Sequence, residues 1–167
     1  MPLRLLCPTL LIERFDGMRE RILRDFFDNK ATAAELAQDV AGAISQKTEK
    51  MSVVSIEDMD GEFTVTAPML VRLCDVVLGG ELEPEALHSI GFALMASDAY
   101  CWDADEDDVL AEVIADWSCP EVNYPLTIEN VKCFRAWLTR SEPYPSKPPL
   151  RAGGNIISVT EKKRSGR

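Results

Sequence analysis

The residues with the most chemistry in this sequence are a run of carboxylates. Five of the six residues from 103 to 108 are acidic: Asp103, Asp105, Glu106, Asp107 and Asp108. Carboxylates can coordinate calcium, pair with the cations of another protein, or serve as acids and bases in catalysis. The spacing of the run and the residues around it bear on which of these three chemistries applies.

A calcium loop of the EF-hand type needs glycine at its sixth position and glutamate at its twelfth. Counted from Asp103, these positions hold Asp108 and Ile114. Counted from Ile56, where a second acidic stretch begins, the twelfth position holds Ala67. Neither stretch fits the motif. The chain also has one histidine and no C-x-x-C, so we predict no metal site and no cofactor.

Nucleophilic catalysis would need a base, and His88 is the only histidine. A dyad of Cys74 and His88 can be drawn, but nothing in the sequence brings the two together. No G-x-S-x-G, phosphate-binding glycine loop or H-E-x-x-H occurs. We therefore expect no catalytic residues. An enzyme that works through its carboxylates, with or without a divalent metal, is the alternative.

The acidic run belongs to a longer stretch that has no positive charge. Between Leu73 and Val131 there are fourteen Asp and Glu and no Lys or Arg, which is a formal charge of −14. The whole chain carries −10, so the remainder sums to +4. Helix dipoles explain only the few acids that lie in first turns. Such a stretch repels phosphates, which argues against nucleic acid as a partner, and it attracts a basic protein surface.

Spacing predicts that several of these acids share one face of a helix. Asp105, Asp108, Glu112 and Asp116 recur at intervals of three and four, while Val109, Val113 and Trp117 follow one residue later on a stripe that can be buried. A solvated face that serves only solubility is the alternative to an interface. We predict a partner-binding surface made of the acids Asp103, Asp105, Glu106, Asp107, Asp108, Glu112 and Asp116. Three aromatic residues would anchor the partner if they are exposed: Tyr100, Trp102 and Tyr124.

Helical periodicity and capping residues predict an all-α fold, a single-domain bundle of about six helices between Leu10 and Thr139. Gly91 should allow two helices to approach closely. The first helix has an apolar stripe of Leu11, Phe15, Met18, Ile22 and Phe26. The later helices are predicted to start at five places: the Thr32-x-x-Glu35 capping box, Thr66 followed by Pro68, Pro84, the acidic run, and Thr127. Helix ends are predicted at Gly79-Gly80 and at Cys119-Pro120. The core face of the last helix is predicted as Ile128, Val131, Phe134, Trp137 and Leu138.

Two segments depart from this helical pattern. Residues 51–66 suit either a short hairpin that turns at Asp60-Gly61 or an irregular connection, and the polar residues 45–50 before them should fray. Four prolines between Ser141 and Leu150 predict an extended, solvated chain, followed by a flexible basic end with a short strand at Asn155–Val159 as an option. We therefore divide the chain into a helical domain, 1–140, and a Pro-rich and basic tail, 141–167.

Cysteine usage and hydropathy predict a cytoplasmic protein. The five cysteines are odd in number and widely spaced, which is typical of reduced thiols. No stretch of about 18 apolar residues occurs, so we expect no membrane contact. The apolar N-terminus is interrupted by Pro8 and followed by Glu13, which does not suit a signal peptide.

The stretch from Leu70 to Leu138 resembles the small acidic α-helical immunity proteins of bacterial toxin systems. The resemblance covers less than half of the chain and lies in the order of helices, in Gly80-Glu81-Leu82 and in Pro120-Glu121-Val122. It implies a non-catalytic protein that blocks a toxin domain, often through carboxylates and aromatic residues that face a basic site. A helical scaffold that oligomerises is a further alternative to this function.

Overall fold

A computed structural model of the chain describes residues 17–41, 43–48, 51–103 and 107–145. Within these ranges there are six helices, and short strands lie between them. The helices are α1 (Glu20–Phe27), α2 (Ala33–Val40), α3 (Ala67–Leu78), α4 (Ala86–Ala96), α5 (Asp108–Ser118) and α6 (Ile128–Leu138). The strands are β1 (Met18–Arg19), β2 (Ile44–Thr48), β3 (Met51–Val54), β4 (Ile56–Glu57), β5 (Phe63–Thr64) and β6 (Tyr100–Cys101).

The strands form three two-stranded sheets, so the fold is mostly helical and not purely all-α. β2 and β3 make an antiparallel hairpin, whereas β1 with β4 and β5 with β6 are parallel pairs. Of the two alternatives for residues 51–66, the hairpin that turns at Asp60-Gly61 is not formed, because β4 and β5 on either side pair with β1 and β6 instead of with each other. The prediction that residues 45–50 fray is also wrong for 45–48, which lie in β2. The strand predicted at Asn155–Val159 lies outside the described residues.

Most predicted helix starts are confirmed by local hydrogen bonds. The Thr32 hydroxyl accepts from the Glu35 N–H at 3.2 Å, and the Glu35 carboxylate accepts from the Thr32 N–H at 2.7 Å. The Thr32 N–H and the Thr32 hydroxyl, which both donate to the Glu35 carboxylate, lower the pKa of Glu35. Thr127 caps α6 in the same way, whereas Thr66 precedes α3 without a side-chain cap. The first helix begins at Glu20, so Met18 lies in a strand, and Leu11 and Phe15 are outside the described residues.

The ends of α1, α3 and α6 share one hydrogen-bond pattern. In each, a residue with positive φ follows the last turn: Asn29 at 60°, Gly80 at 77° and Arg140 at 58°. Its N–H and the next N–H donate to carbonyls of the last turn, as when Arg140 donates to Trp137 and Ser141 to Ala136. Gly and Asn are the usual residues at this position, so Arg140 is the unusual one.

The core is a continuous cluster of buried residues contributed by all six helices. α5 packs on both α4 and α6, and α6 also packs on α3. Gly91 lies against α5 so closely that an added Cβ would be 2.6 Å from the Trp117 Cβ, which confirms the predicted close approach. The predicted core of α6 is confirmed except at Ile128, which starts the helix and is 38% exposed.

Gly91→Ala should lower the free energy of unfolding by about 1–3 kcal/mol, because the new methyl group overlaps α5. Helix propensity alone predicts the opposite, a gain of about 1 kcal/mol. Urea unfolding followed by tryptophan fluorescence measures the difference. The variant Ala111→Gly, at a half-buried position inside α5, reports the cost of glycine within a helix. A Gly91→Ala protein more stable than wild type would contradict the close packing of α4 on α5.

Candidate functional site

The acidic run leads from β6 into the first turn of α5. Asp107 is the N-cap of α5, and its carboxylate accepts from the Leu110 N–H at 2.9 Å. Asp103 and Asp108 are exposed, while Asp105 and Glu106 lie outside the described residues. One acid of the run therefore holds the helix end, which is a structural role for Asp107.

Arg140 brings a positive charge to this otherwise acidic surface. Its guanidinium lies 3.0 Å from the Asp107 carboxylate and 3.7 Å from that of Asp108. The Asp108 side chain remains 85% exposed, so this pair is well solvated. The sequence showed a stretch without cations, and it did not show that the chain after α6 turns back toward α5. The positive φ of Arg140 makes that turn.

Asp116 does not belong to the exposed surface, which corrects the prediction for this residue. It is fully buried, and its carboxylate accepts from the Tyr144 hydroxyl at 2.8 Å. The spacing of the acids predicts a single buried stripe on α5. Because α5 packs on both α4 and α6, it buries a wider face, and that face includes Asp116. Tyr144 also packs edge-on against Trp137, so the segment predicted to be solvated is anchored at this residue.

The aromatic residues expected as anchors are less exposed than a binding surface needs. Tyr100 is fully buried, and its hydroxyl donates to the Glu20 carbonyl, so it cannot contact a partner. Burial also raises the pKa of Tyr100. Tyr124 is half-buried and packs against Phe134 and Trp137 of α6. Trp102 is half-buried as well, and it directly precedes the exposed Asp103.

Most acids of the −14 stretch nevertheless reach the surface. Asp75 is paired with Arg135, with 2.6 Å between the carboxylate and the guanidinium, and this pair raises the pKa of Arg135. Like Arg140, Arg135 comes from α6 or the turn after it. The exposed acids are Asp75, Glu81, Glu83, Glu85, Asp98, Asp103, Asp108, Glu112, Glu121 and Glu129. The described surface is therefore acidic around both ends of α5 and at the start of α4.

The candidate nucleophile that the sequence offered, Cys74, lies inside the fold. Cys74 is fully buried, and burial raises the pKa of its thiol to about 12, so the thiolate needed for a Cys74–His88 dyad does not form near neutral pH. Across the part of the chain that the structure describes, no three His, Cys, Asp or Glu side chains are grouped as metal ligands would be. No described helix combines the length and the apolar character that crossing a membrane requires.

We compared the chain with known protein families, curated proteins and solved structures. No protein-family model, no curated protein and no solved structure matches this chain.

Tyr144→Phe should lower the free energy of unfolding by about 1–3 kcal/mol, because it removes a donor from the buried carboxylate of Asp116. Tyr124→Phe is a matched control, since Tyr124 lies in the same aromatic cluster and the structure gives its hydroxyl no partner among the described residues. Thermal and urea unfolding of both variants measure the effect. Equal stability of the two variants would show that the Asp116–Tyr144 bond does not fasten this segment to α5.

Proposed function

We infer that this protein is a non-catalytic binding protein that covers a basic surface of a protein partner, as an inhibitor or immunity protein does. The observation that carries the proposal is the exposure of ten acids from a stretch that contains no Lys or Arg. The cations that approach these acids among the described residues, Arg135 and Arg140, come from α6 and the turn after it.

Repulsion among the acids supports a role outside folding. Asp108 and Glu112 lie four residues apart on α5 and are both exposed. Like charges at this spacing destabilise a helix by a few tenths of a kcal/mol. A basic partner would relieve this repulsion beyond what Arg140 already does at Asp108. An acidic surface also raises the rate of encounter with a basic protein by roughly 10 to 10³-fold, an effect that falls with salt.

Arg140 gives the acidic surface a built-in competitor. Its backbone occupies a conformation that favours Gly or Asn, while its guanidinium partly neutralises Asp107 and Asp108. A basic partner that binds these acids must displace or accommodate this side chain. The position therefore offers a variant that strengthens binding, which is a sharper test than loss of binding alone.

The first test removes charge from the surface. Asp103→Asn, Asp108→Asn and Glu112→Gln are combined, and Asp107 is left intact because it caps α5. The full chain is used to capture its partner from the native cell. We expect the triple variant to lose a basic partner that wild type retains at low salt and releases as the salt concentration rises. The control combines Glu57→Gln, Asp58→Asn and Glu62→Gln, exposed acids outside the stretch, and should retain the partner. Equal capture by both triple variants would contradict the proposal.

The second test removes Arg140. Arg140→Gly relieves the left-handed backbone and frees Asp107 and Asp108, so it should bind the captured partner about two- to fivefold more tightly without loss of stability. Lys132→Gln, on the exposed face of α6, removes the same charge without uncovering an acid. Calorimetry with the purified partner measures both. If the two variants bind alike, net charge alone sets the affinity, and the surface at the start of α5 does not contact the partner.

A further inference from the structure

Two adjoining cavities lie at the start of α4, and both are lined by Glu85. The first has a volume of about 240 Å³ and lies between α2 and α4. Its walls are mostly apolar and include Val40, Leu82 and Ala86, while Glu83 and Glu85 line it together. Glu85 lines both cavities, so they are neighbours at the start of α4, and we refer to the two together as the groove.

The second cavity has a volume of about 420 Å³ and lies between α4 and the loop that follows α5. Pro120, Pro125 and Leu126 give it apolar walls, and Glu121 lines it together with His88 and Glu85. In the loop that lines this cavity, Val122 is an apolar side chain that is 79% exposed. The second half of the groove therefore also combines apolar surface with carboxylates.

The charge of the groove is uncompensated within the described chain. Glu83, Glu85 and Glu121 are exposed, and no described Lys or Arg lies within ion-pair distance of their carboxylates. This distinguishes the groove from the start of α5, where Arg140 already pairs with two acids. α5 has eleven residues, so the groove and the acidic run lie at opposite ends of a helix roughly 16 Å long.

We propose that this groove binds a segment of the protein partner in which an apolar side chain is flanked by Lys or Arg. The apolar walls accept the apolar residue and the aliphatic stems of the cations, and the three glutamates pair with the charged ends. The inference rests on the proposed function and adds a second contact surface to it.

Charge favours such a partner over a second copy of this chain, which carries −10 overall and would present the same acids. The chain's own basic residues Lys162, Lys163 and Arg164 are a competing occupant, and the experiment separates them from a partner. The probe is an unlabelled synthetic 15-residue peptide with Lys and Leu at helical spacing. Two control peptides of equal length replace either every Leu by Ser or every Lys by Glu.

The experiment is an NMR titration of the full-length ¹⁵N-labelled chain with this peptide. We expect amide shifts to change at residues 37–41, 82–89 and 120–127 with the Lys-Leu peptide, and much less with either control peptide. Glu83→Gln, Glu85→Gln and Glu121→Gln together should weaken binding on the order of tenfold. Ala41→Trp, which keeps the charge and fills the mouth of the first cavity, should weaken it as well. The triple variant at Glu57, Asp58 and Glu62 removes the same charge outside both surfaces and should bind the peptide nearly as wild type does. The triple variant at Asp103, Asp108 and Glu112 is titrated beside it.

Four outcomes would overturn the groove as a partner site. Shift changes confined to residues 103–112, with loss only in the Asp103, Asp108 and Glu112 variant, would remove the groove and leave the proposed function standing. Absence of binding at millimolar peptide would also remove it, while the capture experiment above tests the function separately. Shifts in the groove when Lys162, Lys163 and Arg164 are changed to Gln, without peptide, would assign it to the chain's own end. Shifts that depend on protein concentration would assign it to a second copy.

Discussion

The contact between Gly91 and Trp117 determines how the C-terminal helices are arranged. A side chain at position 91 would enter the backbone of α5, so the absence of one sets the separation of α4 and α5. With α4 this close, Trp117 is fully buried and packs edge-on against Phe134 of α6. α5 thereby becomes a helix with neighbours on two sides. Which of its acids reach solvent follows from that packing, because a helix between two others buries more than a single stripe.

In the N-terminal half, buried polar groups add to the apolar core that all six helices share. Asp39 of α2 is buried, and it accepts from both the backbone N–H and the guanidinium of Arg19. The carboxylate of Glu20, likewise buried, accepts from the Met59 N–H. The Tyr100 hydroxyl donates to the backbone carbonyl of Glu20. Two short parallel strand pairs run through this region, and their hydrogen bonds join segments far apart in the chain. Tyr100 is thus required inside the fold, which removes it from any surface role.

The acids at the start of α5 and those around the start of α4 differ in how far the fold itself uses them. The acids at the start of α5 are partly used by the fold, since Asp107 caps the helix and Arg140 pairs with it. The glutamates around the start of α4 line cavities and have no cation near them among the described residues. If a basic partner binds, the two regions would contribute differently. At the start of α5 the partner would compete with Arg140 for the acids. At the start of α4 it would form new ion pairs beside apolar walls.

The sequence by itself determined the features that depend on neighbouring residues. The capping box at Thr32, the stop at Gly79-Gly80 and the buried stripe of α5 were predictable because each is a contact within one or two helical turns. The excess of acid was equally visible, since net charge needs no geometry. Tertiary structure decided the rest. Asp116 is buried and bonded to Tyr144, and the hairpin consists of β2 and β3. Arg140 pairs with an acid at the start of α5. Those outcomes depend on contacts between residues far apart in sequence. The periodicity of one helix predicts that one face is buried, but it does not predict whether a second helix packs on another face, as α6 does on α5.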